Sequence, residues 1–215
     1  MYNPVATYRF QFHKEFSFAD FEKIIDYLKQ LGVTTVYASP IFKAVPGSVH
    51  GYDGVDPLQI NPEIGTEEQL RSICTELQKE NIGWLQDIVP NHMAYNPTNE
   101  WLMDVLEKGQ LSLYASYFDI NWNSKLHNGR IMAPFLGKPL EQAIQDGEVL
   151  ISLAEDRLVL QYYDAVYPLH PRSYKTILQF DLFSTETDTF GLFDESFNRL
   201  FKTSVVSGLY VFINA

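Results

Sequence analysis

The sequence predicts an α/β fold, the start of a parallel sheet or barrel that is followed, after its third strand, by an α+β insertion. Strand and helix periodicity alternate from residue 5 to residue 89, and this rhythm is lost from residue 93 onward. The hydrophobic share of 46% over 215 residues is ample for a core. A closed eight-stranded β/α barrel typically takes about 250 residues, so the length limits how much of one this chain can hold.

The first strand is predicted at residues 5–10, which are rich in β-branched and aromatic side chains. A helix follows from an N-cap at Ser17, carries apolar residues at 3.6-residue spacing and stops at Gly32. The second strand is predicted at residues 33–37. It leads into a long loop, punctuated by proline and glycine as far as Pro62, and loops of that length usually carry function.

A second helix is predicted to begin at Thr66, because Gln69 stands at the capping-box position. Its apolar face includes Cys74, which we expect to be a buried and unreactive core thiol. The third strand is predicted at residues 84–89 and is stopped by Pro90. The order β-α-β-α-β, with crossovers of this length, favours parallel pairing of the three strands.

The segment after the third strand lacks the β/α rhythm. A helix is predicted from Pro97 to Lys108, and residues 149–153 and 158–163 are predicted to form a hairpin. An extended segment is predicted at residues 167–171. We therefore divide the chain into residues 1–92 (the amino-terminal part of the sheet or barrel), 93–203 (an inserted α+β domain) and 204–215 (an atypical apolar tail).

Charge and composition exclude several classes of partner. The 16 basic and 27 acidic side chains give a formal charge of −11, so we expect no nucleic-acid partner. The start of the chain does not read as a signal peptide, and no apolar run approaches the roughly 18 residues of a spanning helix. We therefore expect no membrane partner and a cytoplasmic location, with which a single cysteine is compatible. The sequence does not predict an oligomeric state.

The strongest local signal is the segment from Asp87 to His92, Asp-Ile-Val-Pro-Asn-His. A strand end delivers the carboxylate, and the turn after it delivers Asn91 and His92. Ligands bind at the carboxyl ends of parallel strands, so these side chains are predicted to line the active face. The alternative is an ordinary turn, in which Asp87 is a cap, Asn91 a turn residue and His92 a satisfied histidine.

The second signal is His50-Gly-Tyr-Asp53 in the long loop, on the same face if the sheet is parallel. Tyr52 can stack on a ligand as an aromatic platform, while His50 and Asp53 can form directional hydrogen bonds. That combination suits a sugar. The alternative is that Tyr52 belongs to the core and Asp53 is a solvated loop acid.

No cofactor is predicted. The five histidines never occur as H-x-x-x-H or H-E-x-x-H, and one cysteine excludes a thiolate cage for zinc. Calcium coordination through Asn91 and loop carbonyls stays an open alternative. The chain also has no G-x-x-x-x-G-K phosphate loop and no G-x-S-x-G nucleophile turn.

These motifs resemble those of the α-amylase clan of glycoside hydrolases. The segment Asp87–His92 resembles the first signature of that clan, at the end of the third barrel strand, and Gly51-Tyr52-Asp53 resembles its sugar-platform loop. The more specific resemblance is to the maltooligosyl trehalose synthases of the clan, strong over residues 5–122 and weaker to about residue 180. It is carried by Ala6–Arg9, Leu31–Pro40, Pro46–Asp53, Asn61–Gly65, Val89–Ala94 and Phe118–Trp122, the last with Asn121 where aspartate is more usual.

The resemblance implies a partial (β/α)8 TIM barrel, whose first three strands lie in residues 1–92. It implies an enzyme of trehalose biosynthesis, an intramolecular glucosyltransferase. Such an enzyme converts the α-1,4 linkage at the reducing end of a maltooligosaccharide to an α,α-1,1 linkage.

The resemblance also implies a set of residues that bind a maltooligosaccharide or another α-1,4-glucan. Tyr52 would stack on the sugar, Asp53 would bind its hydroxyls, His92 would bond the same ring and Asp87 would orient its neighbours. Asn91 matches a position that holds calcium in many amylases. The predicted substrate-binding residues are His50, Tyr52, Asp53, Asp87 and His92.

The catalytic carboxylates are not among the predicted residues. A retaining mechanism needs a nucleophile and an acid about 5 to 5.5 Å apart, and the clan takes them from its fourth and fifth barrel strands. The nucleophile motif G-x-R-x-D has no match, since Asp181 and Asp188 lack the arginine two residues earlier. We therefore expect an amino-terminal part of such an enzyme, catalytically silent alone, with its nucleophile and acid beyond Ala215. Two alternatives remain, an α-glucan hydrolase of the same clan and a non-catalytic glycan-binding module.

Overall fold

The computed structural model describes residues 4–127, 131–154, 157–174 and 177. The chain divides into two compact units, the first ending at Asn99 and the second beginning at Glu100. The predicted tail, 204–215, and the carboxyl-terminal part of the predicted insertion lie outside the described residues. Within the described ranges, no helix combines the length and apolar character that crossing a membrane requires.

The described part of the first unit, from residue 4 onward, holds five strands and three helices. In chain order they are β1 (Thr7–Phe10), α1 (Phe18–Glu22), α2 (Ile25–Leu31), β2 (Thr35–Ala38), β3 (Phe42–Ala44), β4 (Gly54–Ile60), α3 (Glu67–Lys79) and β5 (Gly83–Gln86).

The predicted parallel sheet is present. Strands β1, β2 and β5 pair in parallel with β2 at the centre. Arg9, Tyr37 and Leu85 are register neighbours, so they share one face of the sheet, while Phe10 and Ala38 lie on the other. All three strands run in one direction, so the segments that follow them emerge at one edge of the sheet.

An aromatic core packs against the Phe10 face of this sheet. Phe12 is buried, and its ring centroid lies 5.2 Å from that of Phe18 and 5.7 Å from that of Phe21. Trp84 of β5 contacts the same cluster, with its ring stacked at 5.9 Å on Phe12. The helices therefore pack against one face of the sheet only. The opposite face, which carries Arg9, is not part of this core.

The helix predicted from Ser17 to Gly32 is two helices, α1 and α2. Both predicted ends are correct, because Ser17 and Asp20 form a capping box and Gly32 adopts the left-handed conformation at φ 78°. The backbone leaves the helical region at Ile24, where ψ is 3°. The buried stripe continues across this break.

The long loop after β2 is more ordered than the sequence predicts. It contains the antiparallel pair β3 and β4, whose register shifts on both sides of Lys43. Gly54 and Pro57 lie inside β4. These residue types read as loop punctuation, but an irregular two-stranded pair tolerates them because not every backbone N–H has to join a ladder.

Helix α3 begins as predicted. The hydroxyl of Thr66 accepts the backbone N–H of Gln69, and the side chain of Gln69 accepts the N–H of Thr66. Ile73 and Leu77 are buried, but Cys74 is exposed, so the prediction of a buried core thiol is wrong. The buried stripe of α3 is narrow, and Cys74 lies about 100° around the helix from Ile73. Partial burial by its neighbours still raises the pKa of the thiol.

The second unit combines helices with antiparallel strands: α4 (Glu100–Lys108), α5 (Leu140–Gln145), β6 (Val149–Ala154), β7 (Arg157–Tyr162) and β8 (Ala165–Pro168). The predicted hairpin is confirmed as β6 and β7, and part of the extended segment pairs with β7 as β8. Helix α4 begins later than predicted because Pro97 lies in a turn. That this unit is an insertion into a barrel stays a prediction.

Candidate functional site

The candidate site lies where the strands of the parallel sheet end. Asp87 follows β5 directly, and its backbone N–H donates to the carbonyl of Ala38 at 2.9 Å. The amide of Gln86 donates to the carbonyls of Ser39 (2.9 Å) and Asp87 (2.7 Å). These backbone ties fix the position at which the Asp87 carboxylate leaves the sheet.

Two tyrosine hydroxyls converge on one oxygen of that carboxylate. The hydroxyl of Tyr52 donates to Oδ2 of Asp87 at 2.5 Å, and the hydroxyl of Tyr37 donates to the same oxygen at 3.1 Å. The structure thus brings together Tyr52 and Asp87, which lie in separate sequence motifs. The bond to the carboxylate stabilises the neutral phenol and raises the pKa of Tyr37.

Arg9 of β1 completes this network. Its Nη2 donates to the hydroxyl oxygen of Tyr52 at 3.3 Å, and its Cζ lies 5.8 Å from the ring centroid of Tyr37, within cation–π range. Its Nη1 donates to Oε1 of Gln11 at 3.3 Å. The bond to Tyr52, with smaller contributions from the tyrosines and Asp87, raises the pKa of the guanidinium. One positive and one negative side chain therefore flank the Tyr52 hydroxyl.

The loop that carries Tyr52 is held close to the end of β2. Gly51 has φ 74°, and a Cβ built there would stand 2.5 Å from the carbonyl oxygen of Pro40, so only glycine fits. The amide of Gln11 donates to the carbonyl of Val49 at 2.7 Å. The N–H of Tyr52 donates to Nδ1 of His50 at 3.0 Å.

Asp53 is anchored within the same loop. The hydroxyl of Ser48 donates to its Oδ1 and also accepts the N–H of Gly51 at 3.1 Å. Nδ1 of His50 lies 3.6 Å from the same Oδ1. Oδ2 of Asp53 has no hydrogen-bond partner within the described ranges. One carboxylate oxygen therefore holds the loop, and the other can accept a hydroxyl from a ligand.

Asn91 and His92 are not drawn into the network. Both are exposed in the segment after Asp87, which is tied to β4 by a hydrogen bond from the N–H of Ala94 to the carbonyl of Gly54 at 2.8 Å. Their side chains form no hydrogen bond with the part of the chain that the structure describes. The predicted roles of Asn91 and His92 therefore stay predictions.

The described residues offer no carboxylate-rich metal site. No group of three or more histidine, cysteine, aspartate or glutamate side chains among them is placed to hold an ion. Asn91 alone does not supply the six to eight oxygens that calcium takes. A calcium-binding role for Asn91 therefore stays a prediction.

Arg9 and Tyr37 are two site residues that the sequence motifs did not predict. Both lie inside strand segments, where a tyrosine reads as an ordinary strand former. The available signal was register, because each residue precedes the end of its strand by one position and the strands are parallel. A charged residue at such a position, in an otherwise uncharged strand, indicates a polar site on that face.

Comparison with known proteins identifies the family. The family described as "Alpha amylase, catalytic domain" matches residues 19–140, more than half of the chain. A Mycobacterium tuberculosis protein named as a maltooligosyl trehalose synthase is 38% identical over 176 residues, which cover 79% of this chain and 22% of that protein.

Solved structures agree. The crystal structure of a maltooligosyl trehalose synthase is 41% identical, covers 78% of this chain and 23% of that one, and has a TM-score of 0.71. The maltooligosyltrehalose synthase of Arthrobacter ramosus is 36% identical over 78% of this chain and 21% of its own, with a TM-score of 0.68. The chain therefore spans about a fifth of the length of these relatives. It belongs to the alpha-amylase catalytic-domain family, and within that family it is similar to maltooligosyl trehalose synthases.

Proposed function

We propose that the chain supplies a sugar-binding face for a maltooligosyl trehalose synthase. The substrate would be a maltooligosaccharide or another α-1,4-glucan, and the reaction an intramolecular glucosyl transfer that creates an α,α-1,1 linkage at the reducing end. The observation that carries the proposal is the Tyr52 hydroxyl, held between Asp87 and Arg9 at the ends of parallel strands. Its support in sequence is the identity of 36% to 41% with synthases over most of the chain.

Each polar group then has a part in binding. The Tyr52 ring is half-buried and fixed at its hydroxyl end, so one face can stack on the apolar C–H face of a glucose unit. Oδ2 of Asp53 can accept a sugar hydroxyl, while His50 orders the loop through the N–H of Tyr52. We assign His92 to the same sugar ring, since it follows the same strand end as Asp87.

Asp87 is assigned to positioning and not to bond cleavage. Its Oδ2 accepts hydrogen bonds from two phenol hydroxyls, and these bonds hold the carboxylate turned toward the tyrosines. A nucleophile needs a free oxygen directed at the anomeric carbon, with an acid on the other side of the bond. The chain has no G-x-R-x-D motif to provide that nucleophile.

Sugar binding is tested by calorimetric titration of the 215-residue chain with maltopentaose. Tyr52→Ala removes the stacking surface and is expected to weaken binding by about tenfold or more. Tyr27→Ala is the matched control, because Tyr27 is an exposed tyrosine on α2, in the same unit but outside the network. Equal affinities of the wild-type chain and the Tyr52 variant would contradict the assignment.

Catalytic silence of the chain by itself is tested by a reducing-end assay on maltopentaose. We expect the number of reducing ends to stay constant, because the residues that form and break the glycosidic bond are not among those assigned here. A fall in reducing ends would show that the chain alone makes the non-reducing product, and a rise would show hydrolysis. Either change would overturn the prediction, and a rise would favour the α-glucan hydrolase.

A further inference from the structure

The proposed function gives Arg9 and Tyr37 no sugar contact, yet Arg9 donates to the Tyr52 hydroxyl and Tyr37 donates to the carboxylate that receives it. We propose that Arg9 and Tyr37 are positioning residues, which together fix the orientation of the Tyr52 ring and of the Asp87 carboxylate. The proposal rests on the proposed function, in which Tyr52 is the sugar platform, and it adds the two residues on which the affinity of that platform depends.

Hydrogen-bond direction lets Arg9 restrict where the Tyr52 proton points. A phenol has one proton to donate, and a guanidinium only donates. Because Nη2 of Arg9 donates to the Tyr52 oxygen, the phenol proton must be directed elsewhere, and it is directed to Oδ2 of Asp87. Without Arg9, only the bond to Asp87 holds that hydroxyl against rotation toward solvent.

Tyr37 fixes the other end of the same arrangement. Its hydroxyl donates to Oδ2 of Asp87, so the carboxylate oxygen that receives Tyr52 is held from a second direction. The face of its ring lies against Arg9, with 5.8 Å between Cζ and the ring centroid. Four side chains thus form one set: Arg9, Tyr37, Tyr52 and Asp87. Each of them contacts two of the others.

The anchor points are in rigid elements. Arg9 and Tyr37 are paired residues in the ladder between β1 and β2, whereas Tyr52 sits in a loop. The register of the sheet fixes the distance between the two anchors. Tyr52, in the loop, is held in place by contacts with these strand residues. A preorganised binding site is built in this way, with mobile groups fixed by rigid elements.

Loss of the Arg9 side chain should leave the fold intact. Arg9 is exposed and lies on the sheet face opposite Phe10, away from the aromatic core. Exposed polar interactions of this kind contribute little to the free energy of unfolding. Variants at Arg9 therefore test the orientation of Tyr52 separately from the stability of the fold.

The first test uses the free 215-residue chain labelled with ¹³Cζ-tyrosine, with the Tyr52 signal assigned through Tyr52→Phe. Arg9→Met and Tyr37→Phe are each expected to shift and broaden that signal. Arg9→Lys should restore it in part, because lysine keeps a charged donor but not the planar fork. Arg71→Met is the control, because the Arg71 side chain is exposed on helix α3, and it should leave the signal unchanged. An unmoved Tyr52 signal in both Arg9→Met and Tyr37→Phe overturns the proposal.

The second test measures maltopentaose affinity in the same variants. Losing one hydrogen bond or the cation–π contact is expected to weaken binding by about threefold to tenfold, with Arg9→Lys between wild type and Arg9→Met. If the wild-type chain does not bind sugar but the Tyr52 signal responds to Arg9→Met, the proposed function fails and the positioning holds. If wild type and Arg9→Met bind equally and the signal is unmoved, the positioning fails and the proposed function holds.

Discussion

Oδ2 of Asp87 accepts hydrogen bonds from two tyrosines that lie 35 and 50 residues away along the chain. Sequence motifs identified Tyr52 and Asp87 separately, since one follows a glycine in a long loop and the other ends a strand. The bond between them could not be predicted, because it depends on how the loop folds back over the sheet. The role of Tyr37 could not be predicted for a different reason. Tyrosine is common in strands, so its presence in β2 is explained whether or not its hydroxyl forms a hydrogen bond.

The Tyr37 hydroxyl leads to a prediction about pH dependence. Its pKa is raised in the folded chain, mainly by donation to Asp87, so the contribution of the neutral phenol to stability is complete below the ordinary pKa near 10. That contribution is lost as the pH rises through the raised value. We expect Tyr37 to ionise above its ordinary range in a phenolate titration, taken as the difference between wild type and Tyr37→Phe.

Asp87→Asn is the matched variant for this titration, because the amide keeps the shape but removes the charge. We expect it to move the ionisation of Tyr37 back toward the ordinary value. A Tyr37 that ionises at or below its ordinary pKa in the wild-type chain would contradict the bond to Asp87. So would a titration that Asp87→Asn leaves unchanged.

Secondary-structure elements with clear end signals were predicted well. The capping box at Thr66 and the left-handed Gly32 mark their helix ends in the structure as in the sequence. The antiparallel pair β3 and β4 was missed because glycine and proline within β4 outweigh its strand formers. Cys74 was misplaced because residue spacing defines a helix face only to within about one residue, and the buried stripe is narrow.

The loop that carries Tyr52 allows a prediction about its close approach to β2. Gly51 and Gly47 have similar left-handed φ values, 74° and 81°, but only Gly51 faces a backbone atom within 4 Å. Alanine at either position adds about 1 to 2 kcal/mol of backbone strain. At Gly51 it also displaces the loop from Pro40.

We therefore expect Gly51→Ala to lower the free energy of unfolding by more than Gly47→Ala does, measured by urea denaturation. The loop shift should also weaken maltopentaose binding in Gly51→Ala, while Gly47→Ala should bind as the wild-type chain does. Equal losses of stability in the two variants would show that the contact with Pro40 does not confine the loop.

For the whole molecule, the sequence predicted the parallel order of three strands, because the two crossovers are too long for hairpins and of the right length for helices. The two motifs that resembled the α-amylase clan lie at the carboxyl edge of that sheet. Family membership is shown, whereas the predicted partial barrel and the insertion depend on how larger parts pack together. Local patterns do not encode such packing, so neither could be derived from residues 5–89 alone.

The central claim is that the strand ends of the first unit form a sugar-binding face around Tyr52. Backbone NMR of the full 215-residue chain during a maltopentaose titration tests it most directly. We predict saturable shifts that cluster at residues 9, 37, 50–53 and 87, and that disappear in Tyr52→Ala. Shifts confined to the aromatic cluster of Trp101, Tyr114 and Tyr117 in the second unit, or no saturable shifts at all, would contradict the claim.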